Sequence, residues 1–460
     1  MTLRRITSLT AVTLSVALAA ACAKGTSSAE EPKSSYNPQA TLSGNLSIMG
    51  FGGDDEIGQV RLAEAKKALG SGVKVSQVKG DLDIQQFLSA VASGQPPEIV
   101  YANRDQIGTF ASRGAIVPLT SCIKGEGIDT SAFRKPALDQ VTFAGDVYGI
   151  PEFNVVQITQ ANSDLLSKAG LTIDDVNGSS WDAVTAANKK LAKTNGGKLS
   201  VIGFDSKLPE FLPLWAKANG ADLLSADGKK AQLNDPKVVE ALQFAVGIYD
   251  AQGGFSKVKA FRDSADFFGK GNQFATGVLG AMPMEQWYVN VLNDVSPDAP
   301  MGFDTVRGKD GKPIAFASGS AWAIPKGSKN AQAACRFAKA MTQTESWVKA
   351  AQERVNLRKK ENKVFTGLLT GNAKADEEVR KLVKPSGDAK WDSAVEKTYA
   401  ANDATFSLPA NPADAEFKTA WQDAVNRVLN GQQKPQEALD QAQKEAQKAL
   451  DAAWAEWDKK

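Results

Sequence analysis

Strand patterns alternate with helix patterns along the first folded part of the chain, and this alternation most restricts the folds available to it. The stretch LSGNLSIMGFGG (42–53) has the pattern of a short strand ending in a glycine-rich turn, and EIGQVRLAEAKKAL (56–69) has a helical period. The same order continues in VKVSQVKG, DIQQFLSAVASG and PPEIVYA. It predicts an open, mostly parallel α/β sheet, in which ligands bind beyond the carboxyl ends of the strands. We therefore expect residues 51–56 and 101–105 at a ligand-facing edge.

A second lobe is predicted from about residue 160, since a chain of 460 residues is long enough for two domains of the usual size. GVLGAMP (277–283) has the pattern of a short strand that Pro283 breaks before a helix begins. Residues 413–460 contain two helical patterns joined by NGQQKP. In the second of them, apolar residues recur every three or four positions, which predicts a buried stripe.

The sequence contains no histidine. This excludes histidine-based zinc sites, the Ser-His-Asp triad and the Cys-His pair, so catalysis would have to use carboxylates, Lys or Tyr. The chain has 54 basic and 52 acidic residues, and two of the basic ones lie in its first segment. Near-neutrality argues against a nucleic-acid partner, because such proteins show a strong basic excess. We expect no metal and no other cofactor.

Residues 1–21 have the pattern of a secretory signal peptide. They contain no acid, and Arg4 and Arg5 precede an apolar run from Ile6 to Ala21 that ends in small residues. The alternative is a membrane-spanning anchor, but the run is shorter than the roughly 20 residues that a spanning helix needs. The sequence therefore predicts export.

Cys22 follows this run, and its surroundings resemble a bacterial lipobox, in which the cysteine is acylated. The commonest form has Leu three places before the cysteine, where this chain has Ala19, and looser forms allow this; plain secretion is the alternative. Residues 23–40 have almost no large apolar side chain and cannot bury enough surface to fold, so we expect a flexible tether over residues 22–44. The expected location is the outer face of the cell membrane.

The order of local phrases resembles the bacterial extracellular solute-binding proteins of family 1, the receptors of ABC importers for sugars. SGQPPEIVYANRDQIGTFASRGAIVPLTSCI resembles the family's G-x-x-P-D strand and G-x-(apolar)-x-P-L pattern, with Glu98 where Asp is usual. GDVYGIPEFNVVQITQANSDLLSKAGL, SSWDAVTAANKKLAK, FATGVLGAMPMEQW and AWAIPKGSKNAQAACRFAKAMTQTESW are similar to four further family patterns, and NGQQKPQEALDQAQKEAQKALD to its tail. The resemblance runs from about residue 45 to the end and rests on the order of the phrases, since no single one is decisive.

The resemblance implies a two-lobe periplasmic-binding-protein type II fold, with an α/β sheet flanked by helices in each lobe and a ligand cleft between the lobes. The implied first lobe comprises residues 45–152 and about 300–352, and the second comprises 153–299 and about 353–460. Cys122 and Cys335 are permitted a disulfide in an exported chain, and spacing alone leaves pairing open. The resemblance places both in the first lobe, which favours the bond. It also implies a monomer that delivers a sugar to membrane permease subunits and performs no chemistry.

A sugar site needs polar groups for hydroxyl edges and flat aromatic rings for apolar faces. Trp287 and Tyr288 follow a strand end, and because adjacent residues of a helix face different ways, we expect one of them, Trp287, in the cleft. Glu285 on the same turn can bind hydroxyls or be solvated surface. Trp322 and Trp215 are candidates whose alternative is the core.

The remaining candidate ligand contacts follow strand ends, turns or the crossover between lobes. They are Phe51, Asp54 and Asp55 after the first strand, Asn103 and Arg104 after the third, Glu152 and Asn154 at the crossover, Ser318 and Gly319 at a turn, and Arg358 after a helix. The alternative is a helix cap for the Asp pair and a surface position for Arg358. A buried Glu152 would need a ligand hydroxyl or an Arg partner, because an unpaired buried charge is costly.

Two other functions are compatible with the residues. A secreted carboxylate-based glycosidase needs two acids at a set separation, and Asp55 and Glu285 are the candidates. A binding protein of the same architecture could hold a polyol, a glycerophosphodiester or an anion. A phosphate ligand needs several cations near a helix N-terminus, and the predicted edge offers only Arg104 and Arg358.

Overall fold

The computed structural model describes residues 36–460. Cys22 and the predicted signal peptide lie outside the described residues, as does most of the predicted tether. Within residues 36–460, no helix combines the length and the hydropathy required to cross a bilayer.

Strands in the described part are short and are spread along most of it. In chain order they are β1 (Gly44–Met49), β2 (Val73–Val78), β3 (Ile99–Asn103), β4 (Thr142–Phe143), β5 (Asp146–Val147), β6 (Ile150–Pro151), β7 (Gln157–Asn162), β8 (Lys193–Asn195), β9 (Lys198–Phe204), β10 (Leu279–Glu285), β11 (Met301–Thr305), β12 (Ala315–Phe316), β13 (Ser320–Ala323) and β14 (Thr405–Phe406).

Helices occupy the intervals between these strands and most of the C-terminal third. In chain order they are α1 (Glu56–Leu69), α2 (Ile84–Ala92), α3 (Ile107–Ser112), α4 (Thr120–Glu126), α5 (Lys135–Asp139), α6 (Ser163–Lys168), α7 (Trp181–Leu191), α8 (Leu212–Ala218), α9 (Pro236–Asp250), α10 (Phe255–Asp263), α11 (Trp287–Val295), α12 (Ala331–Thr342), α13 (Thr344–Lys360), α14 (Ala373–Arg380), α15 (Ala389–Asp403), α16 (Asp414–Leu429) and α17 (Pro435–Trp457). Three short 3-10 helices cover Arg104–Gln106, Thr130–Ala132 and Ile173–Val176.

The first sheet has the strand order β2-β1-β3-β13-β6. β1 pairs in parallel with both β2 and β3, which confirms the parallel start predicted from the strand–helix alternation. β13 enters antiparallel to β3 and β6, so its pairing brings the chain back from the second lobe. A disulfide joins Cys122 of α4 to Cys335 of α12 in this lobe, and the expected pairing is confirmed.

The second sheet has the strand order β11-β7-β10-β9-β8, and its directions are more mixed than expected. Only β10 and β9 run in parallel, whereas β7 is antiparallel to both of its neighbours. Pro283 lies inside β10 and does not break it. Its missing N–H is tolerated because the pairing with β9 extends only as far as Ala281.

Three expected boundaries differ from those in the structure. β11 pairs with β7 of the second sheet, so the first lobe does not resume at residue 300. α13 continues to Lys360, and its Arg354 pairs with Asp55 and Glu56 at the start of α1, so the first lobe continues past residue 352. Ordered chain begins before residue 45, because Tyr36 lies against Gly125 and its hydroxyl donates a hydrogen bond to Glu126. Tyr36 is a single aromatic residue in a polar stretch, which is a weak signal for folded structure, so the composition of the stretch predicted a flexible tether instead.

Candidate ligand-binding cleft

Two adjoining cavities lie between the sheets, at the ends of strands from both lobes. Their volumes are about 410 and 370 Å³, within the range usual for small-molecule sites. Val155, Trp287, Gly319 and Ser320 line both cavities and form the wall between them. The two cavities therefore form one cleft with two compartments.

The larger cavity combines aromatic rings with carboxylates and amides. Its aromatic residues are Phe211, Trp287, Phe316, Phe417 and Trp421; its acids are Asp105, Glu210, Glu285 and Asp414; its amides are Asn103, Gln140, Gln157, Asn411 and Gln422. Ser318 and Gly319 also line it, as predicted from the turn before β13. Flat apolar faces beside many hydrogen-bonding groups match a ligand that has both kinds of surface.

Trp287 begins α11 at the end of β10 and is 36% exposed, whereas Tyr288 is buried in the second-lobe core. The Tyr288 hydroxyl donates a hydrogen bond of 2.9 Å to the carbonyl of Phe267. The expectation that one of the two adjacent rings faces the cleft, and that it is Trp287, agrees with this placement. Tyr288 is therefore not a cleft residue.

Glu285 lines the larger cavity two residues before Trp287. Burial raises the pKa of its carboxyl, the charge of Glu210 raises it further, and the cation of Lys207 opposes both effects. A carboxylate that is costly to keep charged gains from hydroxyl donors, so Glu285 is suited to accept hydrogen bonds from a neutral ligand.

Arg104 lines the larger cavity, but its guanidinium is fully buried and already bonded. It donates to Gln140 Oε1 at 2.9 Å, to the Phe153 carbonyl at 2.8 Å, to Asn154 Oδ1 at 2.7 Å and to the Ser318 carbonyl at 2.5 Å. Burial lowers its pKa to about 10, so it remains a cation at neutral pH. Arg104 therefore fastens the crossover at residues 153–154 to the turn before β13, and a ligand would have to compete for its donors.

The smaller cavity includes Asp55, Tyr101, Asn154, Asn290 and Arg354 in its lining. Asp55 caps α1 by accepting from the Gly58 N–H at 2.8 Å, and its other oxygen pairs with Arg354 at 2.8 Å. The capping alternative for Asp55 and the cleft position both hold. The amide of Asn154 is shared between Arg104 and Asn402, so its side chain is also engaged.

Four predicted contacts lie in the cores of the lobes. Phe51 and Trp322 pack with Tyr101 in an aromatic cluster, with ring centroids 4.8–5.2 Å apart. Trp215 is buried in the second lobe and donates from Nε1 to the Ser206 carbonyl at 2.8 Å. Glu152 is fully buried and is bonded to Arg61 and the Tyr101 hydroxyl. Glu152 thus has the Arg partner that its burial requires, which removes the need for a ligand.

Two further predicted residues lie outside both cavities. Asp54 is exposed and pairs with Lys79. Arg358 of α13 bonds Asp294 and Asn290 of α11, so it joins a first-lobe helix to a second-lobe helix instead of facing a ligand.

Sequence reasoning missed the contribution of α16 to the cleft. Asp414, Phe417, Lys418 and Trp421 recur at helical spacing and line the larger cavity together. The period was visible in the sequence, but an apolar stripe in a C-terminal helix also predicts core, and nothing local distinguishes the two. Among residues 36–460, no group of three or more Cys, Asp or Glu is arranged to hold a metal ion.

Comparisons with known proteins agree with this architecture. A family model described as bacterial extracellular solute-binding protein matches residues 61–358. Two Streptococcus pneumoniae proteins named maltooligosaccharide ABC transporter solute-binding lipoprotein are each 26% identical, over 309 and 355 residues. The alignments cover 63% and 73% of this chain and 66% and 75% of those proteins. The first of these relatives is thus matched over just under two thirds of its length.

Two further comparisons concern a relative with another printed ligand and a solved structure. The arabinooligosaccharide-binding protein of Bacillus subtilis is 24% identical over 263 residues, which cover 56% of this chain and 58% of that protein. A Listeria monocytogenes ABC substrate-binding protein, solved in complex with cycloalternan, has a TM-score of 0.70 at 22% identity. The match covers 89% of this chain and 99% of that chain. The likeness shows the two-lobe type II periplasmic-binding-protein fold.

Proposed function

We propose that this chain, which belongs to the bacterial extracellular solute-binding proteins, captures an oligosaccharide in the interlobe cleft and delivers it to the permease of an ABC importer. The observation that carries the proposal is the position of Trp287. Its partly exposed indole lies in the wall shared by two cavities, whose linings also include carboxyl and amide groups. A sugar ring stacked there would extend hydroxyl groups into both compartments.

The ligand class follows from the charges of the cleft and from the names of the relatives. The described cations that line the cavities are Arg104, Arg354 and Lys418, and each is paired or hydrogen-bonded within the protein. A phosphodiester would find no cation at hand, whereas a neutral sugar needs none. The relatives named for maltooligosaccharides and arabinooligosaccharides favour a ligand of more than one sugar unit.

A binding function is favoured over hydrolysis by the placement of the two candidate acids. Asp55 lines the smaller cavity and is paired with Arg354, whereas Glu285 lines the larger one. A glycosidase needs its two carboxyl groups on either side of one glycosidic bond, and these two acids line different compartments. The receptors to which the chain is similar are binding proteins of transporters.

The expected attachment to the membrane also belongs to the proposal. A lipid on Cys22 would keep the receptor close to its permease, and the Streptococcus relatives are named as lipoproteins. Changing Cys22 to Ser should move the protein from the membrane fraction to the medium or periplasm without changing what it binds. If the variant stays membrane-bound, the anchor is not Cys22.

A binding and hydrolysis screen tests the proposed function directly. Purified protein is titrated by calorimetry with malto-, manno- and arabino-oligosaccharides, polyols and glycerophosphodiesters, and the sugars are analysed afterwards for cleavage. We expect binding of one sugar series and no product. Trp287→Ala should weaken that binding more than tenfold, whereas Trp287→Phe, which keeps a ring, should weaken it less. Cleavage of the sugar, or unchanged affinity in Trp287→Ala, would contradict the proposal.

A further inference from the structure

Two exposed aromatic rings stand side by side at the outer end of the cleft wall. Large hydrophobic residues are exposed at four positions in residues 36–460, namely Val78, Ile84, Phe268 and Trp287. Only the last two are aromatic, and they lie together: their ring centroids are 6.1 Å apart and their planes differ by 15°. Phe268 is 64% exposed and lines neither cavity.

The relative position of the two rings leaves a flat face available on each. Carbon atoms in contact are about 3.5–4.0 Å apart, so near-parallel rings with centroids 6.1 Å apart are not in full face-to-face contact, and neither ring covers the whole face of the other. The two rings together form an aromatic surface that begins inside the cleft at Trp287 and continues outside the cleft at Phe268. The outer part of this surface is accessible to solvent, and burying it against an apolar ligand face would be favourable.

The segment that carries Phe268 is fixed by the residues around it. The Phe267 ring stacks on buried Tyr288 with centroids 4.2 Å apart, and its carbonyl accepts from the Tyr288 hydroxyl. Asn272 Nδ2 donates to the Gly269 carbonyl and to Ser296 Oγ, both at 2.9 Å. The adjacent residues Trp287 and Tyr288 thus have different roles. Trp287 offers a face for stacking, whereas Tyr288 fixes Phe267, the residue before Phe268.

We propose that Phe268 forms an outer sugar-binding subsite next to Trp287. The subsite takes a sugar unit that projects from the cleft when the chain in the cleft is longer than the two cavities can enclose. The inference rests on the proposed function and deepens it, because a contact outside the cleft would make the affinity depend on the length of the oligosaccharide. A fixed aromatic ring stacks on a sugar face with little entropy cost, and such a contact contributes about tenfold in affinity.

The test compares affinities along an oligosaccharide series, from disaccharide to hexasaccharide, in each of the malto-, manno- and arabino- series. In the wild type, we expect affinity to rise with length beyond the units that the cleft encloses. Phe268→Ala should lower affinity for the longest bound member about tenfold and leave the shortest bound member within twofold. Phe268→Tyr should restore the length dependence. Val78→Ala removes exposed apolar surface elsewhere and should change neither affinity.

Each other outcome contradicts the inference in a distinguishable way. If Phe268→Ala binds all lengths as the wild type does, the subsite is absent while the proposed function stands. If Phe268→Ala binds normally but no longer supports sugar uptake in cells, the exposed ring contacts a protein partner and not the ligand. If the wild type binds no member of the three series, the proposed function fails and the subsite fails with it.

Discussion

Replacing Arg104 with Met tests whether this residue holds the crossover or holds the ligand. The change would leave four acceptors without their donor: the buried side-chain oxygens of Gln140 and Asn154, and the partly buried carbonyls of Phe153 and Ser318. Each unsatisfied buried acceptor costs about 1–3 kcal/mol, and the two partly buried carbonyls cost less because solvent can reach them. We expect a loss of about 4 kcal/mol in the free energy of unfolding, within the range found when one partner of a buried charged contact is removed.

The assay is urea denaturation followed by circular dichroism, with sugar affinity measured in parallel on the folded variant. Lys418→Met is the matched control, because Lys418 is a cation of the same cavity whose side chain is half exposed and pairs with Asp105. Its removal should cost less than about 1 kcal/mol. The interpretation of Arg104 as a structural clamp is refuted if Arg104→Met loses less than about 1 kcal/mol of stability while sugar affinity falls more than tenfold.

Three further changes test other contacts. Replacing Cys122 and Cys335 with Ala frees a loop of 213 residues, and chain entropy sets the loss in unfolding free energy at up to about 5 kcal/mol; unchanged urea midpoints would contradict this. Burial raises the pKa of Asp376 from 3.8 to about 6, so the folded state holds this proton more tightly. Asp376 therefore contributes about 3 kcal/mol to the free energy of unfolding below about pH 4, and this contribution is lost as the pH rises to about 6. In Asp376→Asn, the free energy of unfolding should depend less on pH over this interval. An unchanged dependence would mean that another group causes it. Arg358→Ala removes the ion pair to Asp294 between the lobes and should increase the unliganded radius of gyration in X-ray scattering; an unchanged radius would mean that the pair does not hold the lobes together.

The first sheet was predictable from the sequence because its order follows local patterns. β1, α1, β2, α2 and β3 succeed one another along the chain, and parallel pairing follows from that alternation. The second sheet was less predictable, since β7 pairs with β10 and β11, which lie more than a hundred residues further on. The hydrophobic periodicity of a segment does not indicate which distant strand it will pair with.

The same distinction separates the predicted residues that line the cleft with free side chains from those whose side chains are already bonded within the protein. Trp287 was identifiable because a strand end and its position beside Tyr288 are local features. Glu152 and Arg104 were polar residues at equally suitable positions, but their partners decide their roles. Arg61 lies 91 residues before Glu152, and Ser318 lies 214 residues after Arg104. Sequence reasoning identifies which residues are polar at an edge, whereas the fold decides which of them are already bonded.

Tyr36 attaches the start of the described chain to the first lobe and not to the second. Tyr36 is bonded to Glu126 at the end of α4, and Arg336 of α12 donates to the Pro38 carbonyl at 2.5 Å, so the chain enters the fold at the disulfide-bonded corner of the first lobe. If the proposed lipid on Cys22 anchors the protein, the anchored end of the chain leads into the first lobe, and closure of the cleft would move the second lobe relative to it. Under the proposed function, permease subunits would distinguish the ligand-bound receptor by the position of its second lobe.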